Sequence, residues 1–193
     1  MFFGSRRRCL KDMLEQSGAL LNGHFILSSG LHSPNYMQCA LLLQWPKFAE
    51  ESGRQLGALL KDTGAQAVVS PALGGVVIGQ EVGRDLNIRA LFAERTTGTM
   101  ELRRGFSLEK GERVVVVEDV VTTGKSVKEV IEAVKALGAE TVAVGSLVFR
   151  AKENPFSIVY RHLWQVEFPV YKPEVCPLCA QGSPAVKPGS RKA

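Results

Sequence analysis

Short runs of apolar residues alternate with stretches where apolar residues recur every third or fourth position, and this alternation orders the chain. Leu10, Met13 and Leu14 have helical spacing and predict a short helix over 7–16. Residues 23–40, rich in Gly, Ser, His and Pro, read as turns and short strands. Pro46 stands where a first helical residue is tolerated, and Phe48, Leu56, Leu59 and Leu60 carry a helix to Lys61. A buried strand at 67–70 is followed by a glycine turn at Gly74-Gly75 and a helix to Asp85. The next strand covers 88–93. Residues 94–106 show no apolar period and predict a long exposed loop. Residues 113–117 form a β-branched strand, and Val127, Val130, Ile131, Val134 and Leu137 share one face of the following helix. Gly138 closes that helix from a left-handed position, and 141–149 is a further buried strand. Short apolar strands between amphipathic helices predict an α/β fold with a parallel sheet covered on both faces. From Pro173 onward proline and glycine replace the pattern, so a loose tail is expected.

Composition adds bounds. The 193 residues suit one domain, and 45% apolar with 22% charged residues excludes wholesale disorder. The longest apolar runs fall far short of the ~20 residues of a membrane span. Arg6-Arg7-Arg8 follows the apolar Phe2-Phe3 rather than preceding an apolar region, unlike a signal peptide. A cytoplasmic protein without membrane partners is expected. The net charge of +5 is spread along the chain, which disfavours nucleic acid as a partner and suits a pocket for a polyanionic small molecule. Four cysteines are too scattered for a disulfide framework. Cys176-Pro177-Leu178-Cys179 has metal-knuckle spacing but supplies two ligands, and Cys9, Cys39, His24, His32 and His162 offer no second spaced pair. These two cysteines read as reduced thiols in the tail.

The richest segment is 114–126. Four valines run into Glu118 and Asp119, and Val120-Val121-Thr122-Thr123-Gly124-Lys125-Ser126 then turns into a helix. Ligands of open α/β sheets bind beyond the carboxyl ends of strands, and a helix N-terminus offers N–H groups to an anion. Thr122, Thr123 and Ser126 add hydroxyls, and Gly124 admits close backbone approach; together they describe a phosphate cradle. The two acids suit ribose hydroxyls or Mg²⁺ rather than the phosphate itself. Gly124-Lys125-Ser126 imitates the end of a P-loop, but Asp119 stands where its first glycine is required. No Gly-x-Gly-x-x-Gly follows a strand.

The run from Glu118 to Ser126 resembles the phosphoribosyl-pyrophosphate (PRPP) motif of the type I phosphoribosyltransferases. Gly23-His24-Phe25-Ile26-Leu27-Ser28-Ser29-Gly30-Leu31-His32-Ser33-Pro34-Asn35-Tyr36 resembles the amino-terminal segment of the orotate phosphoribosyltransferases, which lies over the pyrimidine. The resemblance spans roughly 8–180. It implies a parallel sheet flanked by helices in a single domain over 1–180, with its core at about 45–150. A small hood would come from 8–40 plus part of 155–172, and 181–193 would be a loose tail. It further implies that 118–126 with Leu73 and Gly74 binds PRPP, and that Thr122, Arg150, Ser28 and Tyr36 contact orotate. Mg²⁺ would be held mainly by PRPP, with Glu118 and Asp119 as further ligands. The implied enzyme is a homodimer whose mobile loop reaches the neighbouring site, and a stand-alone one, because no decarboxylase domain follows.

The sequence departs from many members where they carry lysine, with Ser28 in the first segment and Gly74 in the pyrophosphate loop. The mobile loop keeps Arg95, and Leu102-Arg103-Arg104-Gly105-Phe106 matches members whose loop ends this way, so Arg103 and Arg104 stand in for the missing charge. Arg95, Arg103, Arg104 and Asp119 are thus the candidate catalytic residues. Two alternatives stay open: a purine phosphoribosyltransferase, which would share 114–126, and a non-catalytic PRPP-sensing regulator that binds nucleic acid. His24 and His32 read equally as ordinary loop histidines.

Overall fold

The computed structural model describes residues 8–27, 29–96 and 98–188, and the chain divides into a smaller unit, up to Leu42 together with the segment from Glu167, and a larger one, Leu43–Val166. In the smaller unit, α1 (Leu10–Gln16) buries Leu10, Met13 and Leu14 as their spacing requires. It is followed by an antiparallel hairpin of β1 (Leu20–Ile26) and β2 (His32–Met37), irregular between Asn22 and Phe25. A short α2 (Cys39–Leu43) leads into the larger unit.

There, α3 (Pro46–Leu60) starts at the proline that announced it. The elements β3 (Ala67–Pro71), α4 (Gly74–Leu86) and β4 (Arg89–Arg95) follow, then β5 (Met100–Leu102), β6 (Arg113–Val121), α5 (Lys125–Ala136), β7 (Glu140–Phe149) and β8 (Val159–Gln165). The six strands are ordered β5-β4-β3-β6-β7-β8, parallel except for β5. Both sheet faces are covered. Val69, Val114, Val116 and Val144 join the core beneath Val127, Val130 and Val134 of α5. On the opposite face a Cβ on Gly145 would meet Leu60 and Leu56 of α3, and one on Gly79 of α4 would meet Ser70. Burying both faces is why β6 carries four apolar positions in a row, with Val114, Val115, Val116 and Val117 all fully buried. Gly138, at φ 81°, ends α5 by donating its N–H to Lys135 O at 2.9 Å, as expected.

The structure departs from the sequence pattern at four places. Residues 94–106 are not a featureless loop, since β4 runs on to Arg95 and β5 pairs back on it antiparallel from Met100 to Arg95. The apolar signal there is one buried residue, Met100, and too short to register as a period. Strand β6 does not end at the acid pair but continues through it to Val121. Residues 159–165, to which the pattern assigned no element, form the edge strand β8. The stretch from Pro173 is not loose up to Val186. It holds α6 (Pro177–Ala180), and Val186 donates its N–H to His24 O at 2.9 Å while Ile26 donates to Val186 O at 2.8 Å. Residues 189–193 lie outside the described residues. Among the described residues no helix is long and apolar enough to cross a membrane.

Candidate active site

Parallel strands align their carboxyl ends, so the sheet order sets the order of the groups that follow each strand. Arg95 ends β4, the turn Ala72-Leu73-Gly74 follows β3, Glu118–Val121 closes β6, and Arg150 follows β7. These four groups, scattered over more than fifty residues of sequence, stand side by side along one edge.

The turn after β3 presses on the acids. A Cβ on Gly74 would come within 2.8 Å of Asp119 Oδ1, and one on Gly75 within 2.8 Å of Val117 O and 3.1 Å of Glu118 Oε1. Any side chain at either place would displace the carboxylates, which explains the glycine found at 74. The Ala72–Leu73 peptide is cis, and Leu73 is 87% exposed at the start of α4.

Glu118 is buried and Asp119 half-buried. Glu118 Oε1 accepts the Asp119 N–H at 3.1 Å, and Asp119 Oδ1 accepts the Val120 N–H at 2.8 Å. Burial, then repulsion from Asp119, pushes the Glu118 carboxyl up to about 9. The pair therefore keeps a proton at neutral pH.

Thr122 and Thr123 are exposed above this pair, and Gly124 turns the chain at φ 72° into α5. A small recess there is lined by Glu118, Val120, Val121, Thr122, Thr123, Gly124, Lys125, Ser126 and Val127. Thr123 Oγ1 accepts the Lys125 N–H at 3.4 Å, while the first N–H groups of a helix have no acceptor within it. A Cβ on Gly124 would strike Phe156 at 2.8 Å, so glycine is needed for space as well as for φ. The recess, two hydroxyls and a helix start can hold a phosphate. The Arg150 N–H donates to Val121 O at 2.8 Å, which fixes Arg150 beside Thr122.

The arginines of the β4–β5 hairpin are partly engaged. Arg95 bonds Gly98 O at 2.8 Å and pairs with Glu129 of α5. Arg104, at φ 58°, pairs with both Glu94 oxygens at 2.8 Å and lies 5.8 Å from the Phe92 ring centroid; it holds the Glu94 carboxyl below the usual range. Arg103 is exposed and forms no ion pair among the described residues. Tyr36 is half-buried on β2 of the smaller unit, its ring 5.8 Å from that of Phe25. Ser28 lies outside the described residues.

Residues 40–162 match the phosphoribosyl transferase domain family. The chain is 53% identical over 183 residues to the orotate phosphoribosyltransferase of Thermotoga maritima, covering 94% of this chain and 98% of that one. It is 47% identical over 182 residues to that of Caldanaerobacter subterraneus, covering 94% and 96%. The solved orotate phosphoribosyltransferase from Aeropyrum pernix superposes with a TM-score of 0.67 at 26% identity, over 80% of this chain and 93% of that one. That of Mycobacterium tuberculosis gives 0.68 at 22% identity, over 81% and 96%, a likeness of fold.

Proposed function

Because the chain belongs to the phosphoribosyltransferase family, and within it to the orotate phosphoribosyltransferases, we infer that it transfers the phosphoribosyl group of PRPP to orotate, giving orotidine 5-phosphate and pyrophosphate in pyrimidine biosynthesis. The observation that carries the reading is the row along the carboxyl edge of the sheet: the glycine turn at Leu73-Gly74, the acid pair and cradle of 118–126, and Arg150. PRPP presents pyrophosphate, ribose and 5-phosphate, and orotate presents a carboxylate and ring carbonyls. The row supplies a partner for each.

The acceptor nitrogen attacks C1 of the ribose as the bond from C1 to the pyrophosphate oxygen breaks. Positive charge grows on the sugar and negative charge on the leaving group, so stabilisation is chiefly electrostatic. Asp119 and Glu118 face the growing positive charge and accept the ribose hydroxyls. Thr122, Thr123, Ser126 and the first N–H groups of α5, with Val120, Val121, Gly124 and Lys125 shaping the turn, hold the 5-phosphate. Leu73 and Gly74 bring backbone to the pyrophosphate. Arg150 offers orotate a charge-assisted, two-pronged contact, and Thr122 lies between the two substrates. Two adjacent carboxyls, one pushed up by burial and by repulsion from its neighbour, fit a hard divalent cation with oxygen ligands. Mg²⁺ bound with PRPP would supply the positive charge that eases departure of pyrophosphate. Arg95, Arg103 and Arg104 add to it from the hairpin, which in the proposed homodimer serves the neighbouring subunit's site. Phosphorylated, water-soluble substrates support a cytoplasmic location.

The test is direct. Purified protein with PRPP and Mg²⁺ should consume orotate and release pyrophosphate, while adenine and hypoxanthine stay unreacted. Turnover of a purine base instead of orotate would reassign the acceptor. Tight PRPP binding without turnover of any base would make the protein a sensor rather than an enzyme.

A further inference from the structure

In the smaller unit four side chains far apart in sequence converge. His24 Nε2 lies 2.8 Å from His32 Nδ1, 3.5 Å from Cys176 Sγ and 3.7 Å from Cys179 Sγ, and His32 Nδ1 lies 3.3 Å from Cys179 Sγ. One ligand-type atom from each residue falls within 4.8 Å of all the others. His24, His32 and Cys176 are buried, at 4%, 7% and 3% exposure. Both cysteines are free thiols rather than a disulfide. The two cysteines are reduced thiols as expected, but the expectation that no second pair of ligands accompanies them is corrected: His24 and His32 of the hairpin lie beside them.

Hydrogen bonding alone accounts poorly for this gathering. His24 Nδ1 lies 2.8 Å from Ser183 O, which can only accept, so Nδ1 carries the proton. In the neutral ring, Nε2 is then a bare lone pair, yet it is aimed at three groups. One lone pair accepts one good hydrogen bond. Lone pairs converging from three buried groups and the exposed Cys179 call for a cation, and an outer N–H bonded to a carbonyl is how metal-binding histidines are held in the right tautomer.

We propose that His24, His32, Cys176 and Cys179 bind one zinc ion as a structural, four-coordinate site. Two nitrogens and two sulfurs in a tetrahedral set are zinc's preferred structural environment among common metals. A tetrahedron with Zn–N bonds of about 2.05 Å and Zn–S bonds of about 2.3 Å has N···S edges of roughly 3.6 Å. The N···S separations of 3.3, 3.5 and 3.7 Å bracket that value, and the histidine pair, at 2.8 Å, opens to accept the ion. On binding, each thiol releases its proton to solvent and each thiolate donates an electron pair to the metal. Two thiolates and two neutral imidazoles cancel the ion's charge, which suits a largely buried place.

The backbone is already arranged for the ligands. Cys176 precedes α6 and Cys179 lies within its single turn, so both thiols face one way. His24 and His32 sit on adjacent strands of the hairpin. On one edge Val186 pairs with the backbone of His24 and Ile26; on the other Tyr171 and His32 exchange hydrogen bonds at 2.8 Å. The ion would clamp a hairpin to a segment 152 residues away in a unit with a small apolar core, where a staple contributes most.

Untagged protein expressed with zinc and purified without chelators should contain about one zinc per chain by elemental analysis. Refolding it with Co²⁺ should give the visible bands of a tetrahedral, thiolate-bound cobalt. Cys176→Ser and His32→Ala should lose most of the metal, whereas Cys9→Ser, outside the cluster, should keep all of it. Removing zinc from the native chain with a strong chelator should lower its thermal midpoint by on the order of 10 °C, reversibly on re-addition. Native protein without zinc and without a cobalt spectrum would overturn the proposal, as would iron in its place or full zinc retention in a Cys176→Ser, His32→Ala double variant. Because native metal content is read first, a variant that fails to fold does not blur the result.

Discussion

Glu118 and Asp119 are neighbours in sequence, but their surroundings divide their work. The proton that Glu118 retains in the folded chain is surrendered on unfolding, so the unfolded state binds fewer protons between the ordinary 4.5 and about 9. Stability should therefore fall with rising pH across that window, by at most about 1.4 kcal/mol per pH unit from this group. Glu118→Gln removes the titration. Urea midpoints of the two proteins should diverge steadily between mildly acidic and mildly alkaline buffer, the variant being the more stable at the alkaline end. Parallel profiles would mean that Glu118 ionises normally. Asp119 carries little packing, so Asp119→Asn should fold as before and lose at least roughly tenfold in kcat, or about 1.4 kcal/mol of transition-state stabilisation. Unchanged turnover in that variant would remove the acid pair from the ribose site. Arg150→Ala should raise the KM for orotate, by about 2–4 kcal/mol of binding, while the KM for PRPP hardly moves. Losses confined to PRPP would count against the assignment.

At the scale of elements, the hairpin of β4 and β5 matters most, because two of its three arginines are held in ion pairs. Arg95 is tied to Glu129 and Arg104 to Glu94, leaving Arg103 as the hairpin arginine with no ion pair to another described residue. Arg103→Ala should then lower kcat more than it raises the KM for PRPP, since charge on the departing pyrophosphate develops mainly in the transition state. Arg104→Ala should in addition loosen the hairpin, seen as faster proteolysis between Arg95 and Gly105, because it also removes the Phe92 contact. Equal proteolysis of the two variants would show that the Arg104 pairing does not hold the hairpin.

For the whole molecule, subunit mixing tests whether one chain makes a whole site. If the hairpin serves a neighbouring subunit, mixing Arg103→Ala with Asp119→Asn should restore part of the activity. Heterodimers would then have one site built from an intact hairpin and an intact cradle. Confirmed subunit exchange with no recovery would assign each hairpin to its own chain. Zinc content is measured independently of turnover, so loss of metal and loss of activity are read separately.

The sequence by itself determined whatever is local in cause. Valines on a doubly buried strand, Pro46 at a helix start, Gly138 at a helix end and the cradle from Glu118 to Ser126 each follow from neighbours within a few residues. Burial periodicity and turn chemistry act at that range, so they are legible. The edge strand β8 and the short β5 were not legible, because pairing to a neighbouring strand rather than local pattern makes them strands. Tertiary structure alone decided the rest. It set Gly74 against Asp119, which gives the glycine its reason, and it buried Glu118 deeply enough to keep its proton. It also carried Cys176 and Cys179 to His24 and His32. Spacing rules see ligands that share a turn or a knuckle; a set split between a hairpin and a distant strap exists only once backbone pairing at Tyr171 and Val186 has closed the loop.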